Sequence, residues 1–404
     1  MDDVIRGSLG FGQCDVNGAA LSFDLPLNAG NLGFSAFDAL VATSGGTGSG
    51  LAAQKWNHNQ MFTRVFDVQA QWAINFDLMP FFEVGSPGGW AQDKFLQLSN
   101  SASGDNVLAL EIETDGTIAA VTGGDGTTGT GVIVKKTTAT FPTFAWATRL
   151  ELLATGLGGS ATIQVWQNDV IILSVVAPTV AGADSIALGN QNGTTDGVNS
   201  KPYFGVRFAN LVFTDGQGPA PWNTRLGPVR VTTLSPTADA GGNWNITPNT
   251  ITNRFQAVDD LFPTDGNGSP DFDHSYIGPV TSDAQYFTLS PSPCYGLVLG
   301  VNVCLAFRGA SGSTTCDAML IQQATITNLG TATVTGPIGM YKTRQIFVGF
   351  SPASGTYFTD GEIGGSLWGA STSSPGLLLT QVFLEKIVSL RATPYSCGGS
   401  SYSF

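Results

Sequence analysis

Around residue 226 two long strand-rich halves meet at Asp215-Gly-Gln-Gly-Pro-Ala-Pro-Trp-Asn-Thr-Arg-Leu-Gly-Pro-Val-Arg-Val. Gly and Pro punctuate the stretch and a β-type run restarts at Val229, the pattern of a linker between two β-domains. A chain of 404 residues is long enough for two independent cores. The expectation is two tandem domains, 1–225 with a loop-rich N-terminal segment and 226–404.

Composition says what those domains are made of. Apolar residues make up 42% of the chain, enough to fill two cores, whereas charged residues make up only 12%, about half the usual share. Their place is taken by 52 Gly and 20 Pro, interspersed with Thr, Ser and Asn. Gly supplies the positive φ of tight turns and Thr fits a pleated surface, so many short strands are favoured over long helices.

Charge excludes several classes of function. The net charge is −13 with 17 basic residues, and no Lys falls between Lys201 and Lys342. A duplex-binding protein needs a basic stripe along the phosphates, so no nucleic-acid partner is expected. No run reaches the roughly 18 apolar residues that span a bilayer, and no membrane insertion is expected. The N-terminus Met1-Asp-Asp-Val-Ile-Arg lacks the basic flank and apolar core of a secretory signal. The five cysteines, at 14, 294, 304, 316 and 397, form no CxxC pair. Cys294 and Cys304 could bridge across a sheet if their Cα atoms came within about 7 Å, but small buried thiols in a reducing cytosol are the reading adopted.

Along the first half, Ser44-Gly-Gly-Thr-Gly-Ser-Gly50 has neither a strand before it nor a helix after it, and reads as a surface loop rather than a dinucleotide cradle. Thr63 to Leu78 alternates well, with Val68, Ala70, Trp72, Ile74, Phe76 and Leu78 on one face. Val107 to Val121 reads as a hairpin turning at Asp115-Gly116. Arg149-Leu-Glu-Leu-Leu and Ala161 to Val175 follow, the latter turning at Asn168-Asp169. Tyr203 to Asp215 closes the half. Strands without helices imply two packed sheets, a sandwich of jelly-roll type. The hairpin Ile163-Gln-Val-Trp-Gln-Asn-Asp-Val-Ile-Ile and the last strand Val206-Arg-Phe-Ala-Asn-Leu-Val-Phe resemble those of the concanavalin A-like lectin/glucanase and laminin-G-like sandwiches.

In the second half, runs at Val229–Leu234, Asp283–Leu289, Tyr295–Arg308, Asp317–Gln322, Gln345–Phe350 and Gln381–Leu390 predict a second β-sandwich, making the chain all-β with two tandem jelly-roll-like domains. The tail from Ser396 is expected to be loose unless a partner holds it. The succession Leu226-Gly-Pro-Val-Arg-Val, Leu234-Ser-Pro-Thr-Ala-Asp, Ala257-Val-Asp-Asp, Asp271-Phe-Asp-His-Ser-Tyr-Ile, Tyr286-Phe-Thr-Leu and Gly300-Val-Asn-Val-Cys-Leu-Ala-Phe-Arg resembles a family of tailed-bacteriophage structural proteins. Those proteins commonly carry a concanavalin A-like module ahead of this block. The resemblance spans about residues 200–390 and reaches the first half by architecture alone. It departs at the acidic loop 264–273 and at the cysteines.

Candidate chemistry is sparse. His58 and His274 lie in different halves, too far apart for a shared zinc or triad role. No Gly-x-Ser-x-Gly precedes a helix. Glu111-Ile-Glu-Thr-Asp alternates three carboxylates as a glucanase strand would, but in an order that departs from that family, and Asp115 sits in the turn. A solvent-facing side explains Glu111 and Glu113, and no catalytic residue is assigned. Asp265, Asn267, Asp271 and Asp273 open like a calcium loop, yet Tyr276 stands where an EF-hand needs Glu and Pro270 breaks the spacing. Calcium is the sole candidate cofactor. Asn192-Gly-Thr194 is a glycosylation acceptor only in a secretory pathway, for which nothing in the sequence speaks. Among the eight tryptophans, Trp90, in a Gly/Pro loop, is the candidate glycan contact; Trp72 belongs to the core by its strand face, and Trp368 sits in a loop with burial expected.

The resemblance implies a non-enzymatic virion component made in the host bacterial cytoplasm. Its partners would be copies of itself, other virion proteins and a host surface glycan. A tail-tip or tail-fibre place comes first and a capsid-decoration or head-fibre place second. A free lectin and a glycan depolymerase are the alternatives from other classes.

Overall fold

The computed structural model describes residues 5–9, 59–82, 93–100, 102–103, 105–113, 115–124, 131–138, 148–178, 180–191, 204–216, 220–247, 251–258, 275–280, 284–291, 296–309, 313–335, 342–374 and 376–390. The chain forms two compact units that, beyond an N-terminal stretch divided between them, change over between Pro228 and Val229. The architecture is all-β.

The first unit contains β1 (Ile5–Leu9), β2 (Asn59–Gln69), β3 (Gln71–Phe82), β4 (Asp93–Asn100), β5 (Asp105–Ile112) and β6 (Ile118–Thr122). It continues with β7 (Val132–Lys136), β8 (Thr148–Thr155), β9 (Ala161–Gln167), β10 (Val170–Ala177), β11 (Ala183–Gln191) and β12 (Phe204–Thr214). They build two six-stranded sheets, β1-β12-β3-β8-β9-β10 and β2-β11-β4-β5-β6-β7. Trp72, Ile74, Phe76 and Leu78 of β3 are buried between them. Phe76 meets Phe95 of the facing sheet edge-on, with centroids 6.2 Å apart, and the Trp72 indole N–H donates to the Ala183 carbonyl of β11 at 3.1 Å. That bond satisfies a ring that could not otherwise be buried without loss.

The long alternating run of Thr63–Leu78 is not one strand. It bends at Ala70 and passes from one sheet to the other, so β2 and β3 lie in different layers. The change of layer puts Val68 and Ala70 in solvent, whereas Trp72 onward faces the core. The two tight turns fall where the sequence places them. Gly116 has φ +80°, and Asn168 and Asp169 have φ of 48° and 69°, the left-handed pair of a type I′ hairpin.

The segment expected to be a linker is packed. Trp222 and Leu226 are buried, and Arg225 forks onto Glu151 of β8 with contacts of 2.7 and 2.9 Å. The Gly227 amide donates to the same carboxylate at 3.1 Å, and Asn75 Nδ2 donates to the Gly227 carbonyl at 2.5 Å. Asn75, Glu151 and Trp166 are cross-strand neighbours on β3, β8 and β9, and the Arg225 guanidinium stacks 4.8 Å over the Trp166 ring. One row across three strands thus grips residues 225–227. Burial lifts the Glu151 carboxyl above its ordinary value, with the Arg225 charge and hydrogen bond pulling it back.

The second unit comprises β13 (Val229–Leu234), β14 (Pro236–Gly241), β15 (Asn245–Thr247), β16 (Tyr276–Gly278), β17 (Ala284–Leu289) and β18 (Leu297–Arg308). After these come β19 (Ser313–Gln322), β20 (Thr325–Thr335), β21 (Lys342–Val348), β22 (Leu367–Ser371) and β23 (Leu378–Ser389). A short helix α1 (Asp360–Gly364) and a 3-10 turn at Arg254–Ala257 accompany them. One sheet runs β15-β16-β23-β18-β21 with β13 also on β23, and the other runs β14-β17-β22-β19-β20. Val303, Leu305, Phe287, Leu320, Trp244 and Trp368 share the core between them. Trp368 lies on β22 rather than in a loop, and is buried with its N–H on the Ile363 carbonyl. Sequence alone misses β22 because Gly364-Gly-Ser and Gly369 read as turn residues; Gly369 is there because β17 passes so close that a Cβ would meet the Gln285 carbonyl. Cys304 and Cys316 are buried, Cys294 lies outside the described residues, and burial pushes the Cys316 thiol far up.

Two outcomes test these packings. Arg225→Ala leaves the Glu151 carboxylate buried without its fork and is expected to cost about 3–5 kcal/mol in urea denaturation, with Glu151→Leu in the same chain recovering much of the loss. Glu362 closes a capping box with Thr359 on α1, and the Thr359 backbone bond, ahead of its other partners, holds its carboxyl below the ordinary 4.5. A depressed carboxyl stabilises the fold above its unfolded value, and that contribution is lost as pH falls through the folded value. Glu362→Gln is therefore expected to lower Tm at neutral pH, by an amount that shrinks as the pH drops below 4.5.

Candidate functional site

The acid strand β5 is the one place where sequence and structure both gather chemistry. On β4 an extra residue is inserted between Lys94 and Leu96, which turns Phe95 and Leu96 towards the core and returns Lys94 to the opposite face beside Glu111. Lys94 and Glu111 are register partners and form an ion pair at 3.6 Å, exposed by 0% and 1%. Two positions on, Glu113 accepts from Lys136 of β7 at 2.9 Å. Ala119 of β6 lies between Glu111 and Lys136 in the ladder, and its methyl leaves room for the long side chains on either side.

This corrects the expectation of a solvated face. Glu111 and Glu113 are both buried, and alternation could not reveal it because period-two patterning says which residues share a face, not what covers it. The row opens to solvent at its β7 end, where Lys136 is 38% exposed. Asp115 stands there in the turn, accepting from the Thr117 amide and hydroxyl, and those bonds hold its carboxyl below the ordinary value. The hydrogen bond to Glu113 raises the Lys136 ammonium above its ordinary value.

The arrangement can hydrogen-bond a hydroxylated ligand at its open end through Lys136 and Asp115. A glycosidase pair needs one carboxyl kept protonated in an apolar pocket, whereas here Glu111 is paired with Lys94 and Glu113 with Lys136.

The remaining candidates divide cleanly. Asp265, Asn267, Asp271, Asp273 and Trp90 lie outside the described residues. Among the described residues no group of three or more His, Cys, Asp or Glu side chains could hold a metal ion, and no helix is long and apolar enough to cross a membrane. Lys94 and Lys136 were missed by the sequence reading; the signal was their place on the strand before and the second strand after an alternating acidic run in a chain otherwise poor in charge.

No protein-family model and no curated protein sequence matches the chain. Among solved structures it is similar to the cellulose-induced protein Cip1, at 16% identity over 42% of this chain and 75% of that one, with a TM-score of 0.30. It is similar to the carbohydrate-binding module CBM66 from Bacillus subtilis, at 6% identity over 39% and 79% with a TM-score of 0.25. It is also similar to the galectin LEC-6 from Caenorhabditis elegans, at 15% identity over 37% and 89% with a TM-score of 0.24. Likenesses at these scores carry no argument, and the two-sandwich architecture rests on its own sheets and cores.

The structural role of the Lys94–Glu111 pair has a direct test. Glu111→Gln leaves the ammonium buried and uncompensated, with an expected loss of about 3–5 kcal/mol; Lys94→Met with Glu111→Leu is expected to restore stability to near the starting value. A Glu111→Gln protein as stable as the parent would show that the pair carries no load.

Proposed function

We propose that the chain is a non-catalytic recognition and assembly protein whose first unit binds glycan. The observation that carries this reading is the pairing of both acid-strand carboxylates with lysines, which leaves hydrogen bonding rather than proton transfer as the chemistry of β5. The open end of the row offers the Lys136 ammonium from β7 and the Asp115 carboxylate from the β5–β6 turn, the donor and acceptor mixture that sugar hydroxyls require. Trp90 would add a stacking face for a pyranose.

The setting we propose is a tailed-phage virion, with a tail-tip or tail-fibre place ahead of a capsid-decoration one. Support comes from the resemblance of residues 200–390 to tailed-phage structural proteins and from the strand-rich, charge-poor composition, which suits shape-complementary assembly with symmetry mates.

Titration of the purified full chain against host surface polysaccharide is expected to show saturable binding with no release of reducing ends. Lys136→Ala is expected to weaken that binding at least about tenfold, the loss of one charge-assisted hydrogen bond. Reducing ends that appear with the parent and vanish with Glu113→Gln would instead establish a depolymerase. Antibody labelling of virions settles placement: label on the tail supports the fibre reading, label on the head moves the protein to decoration, and no label removes the virion setting.

A further inference from the structure

The free edge of β10 combines an uncharged sequence with several exposed apolar side chains. β10 ends the sheet β1-β12-β3-β8-β9-β10, and among the described residues no strand pairs its outer side. Its eight residues, Val-Ile-Ile-Leu-Ser-Val-Val-Ala, contain neither a charge nor a proline. Val170 and Val176 are 64% and 62% exposed and Ile171 is 47% exposed. Edge strand β7 of the facing sheet runs alongside, adding exposed Val132 and Ile133 to the same flank.

Proteins normally blunt such edges with lysines, irregularities or cover, and β7, β14 and β20 show such devices. β7 ends in Lys135 and Lys136. β14 carries Asp239 and two register shifts. On β20 the Thr333 carbonyl accepts from Arg344 of β21 at 3.0 Å. β10 has one irregularity, at Ile171/Leu173, after which Leu173–Ala177 pairs in unbroken register with Ala161–Val165. This regular half exposes Ser174 and Val176 on one face and buries Leu173 and Ala177 on the other.

We propose that β10 pairs antiparallel with β10 of a second copy of this chain, joining their sheets across a two-fold axis at Val175. Self-pairing is what the sequence of the edge permits. A two-fold sets each residue opposite one from the same strand, so an edge of single-sign charge would meet itself and be repelled. An axis at Val175 sets Val176 against Ser174 and Leu173 against Ala177 of the other copy. Large meets small on both faces, and each residue meets one that points the same way. With a net charge of −13, two copies approach against long-range repulsion, and an uncharged edge is where they can close to contact once salt screens it beyond about 10 Å. The proposal stands independently of glycan binding.

Light scattering of the full chain at micromolar concentration is expected to give a mass set by an even number of copies. Ser174→Lys with Val176→Lys places like charges opposite each other and is expected to halve that mass, with unchanged far-UV circular dichroism. Ser174→Glu with Val176→Lys places opposite charges together and is expected to restore it. Hydrogen exchange on the unsubstituted chain checks the contact without mutation, because β10 amides should slow as concentration rises. A parent that is monomeric, a mass indifferent to the lysine pair, a Glu/Lys variant that stays dissociated, or β10 exchange independent of concentration each overturns the proposal.

Discussion

A charge placed inside a sheet sandwich costs several kcal/mol unless its counter-charge touches it, and that constraint organises both units. Lys94 meets Glu111 across the β4–β5 ladder. Glu151 meets Arg225 across the face of β8. In the second unit Lys386, exposed by 0%, meets Asp360 at the first turn of α1, and burial lowers the Lys386 ammonium below its ordinary value even with that partner present. Each pair unites segments distant in sequence, or on separate strands, so each is satisfied in one register and broken in the next. A slip of one residue would turn Glu111 or Lys386 to the other face and leave its partner buried alone. These pairs specify arrangement more than they add stability, since well-packed apolar residues in their places would serve as well energetically.

The same rule explains how a stretch punctuated by Gly and Pro becomes a fixed strap. Glu151 sits mid-row between Asn75 and Trp166 with no counterion on its own sheet closer than Arg149, whose Nε is 3.8 Å away. Arg225 supplies a forked partner and Gly227 an amide, and the Pro and Gly residues around them give the backbone the turns it needs to reach. The outer face of β3, β8 and β9 is occupied at this row by the chain itself, whereas on the other sheet the β5 row opens to solvent at Lys136.

How much of this the sequence discloses depends on the kind of question asked. Local chemistry was legible. Gly116 and Asn168-Asp169 turn because few residues tolerate their φ values, and β17, β18, β19 and β23 follow runs of apolar and β-branched residues. Which residues share a face was legible as well, so Trp72, Ile74 and Phe76 fall in the core. What lies over a face was not. Glu111 and Glu113 alternate as a solvated strand would, and are buried by contacts that no window of the sequence contains. The break at Ala70 was hidden because alternation continues through it while the chain changes layers. α1 was hidden because five residues make little pattern, although Thr359 and Glu362 spell its capping box.

Scarcity of charge links these observations. With charged residues at 12% of the chain, those that hold the interior in register are not available to guard the rims of the sheets. Lys94, Glu111, Glu151, Arg225 and Lys386 are all buried or nearly so, and β10 shows Val, Ile and Ser to solvent. For a lone protein such a rim is a liability, since backbone donors and acceptors along it invite any passing strand. For a protein that works as one of several copies the same rim is a place to join. The same scarcity of charge that leaves no basic stripe for phosphates thus leaves the β10 edge without a charge, which is the condition the proposed self-pairing needs.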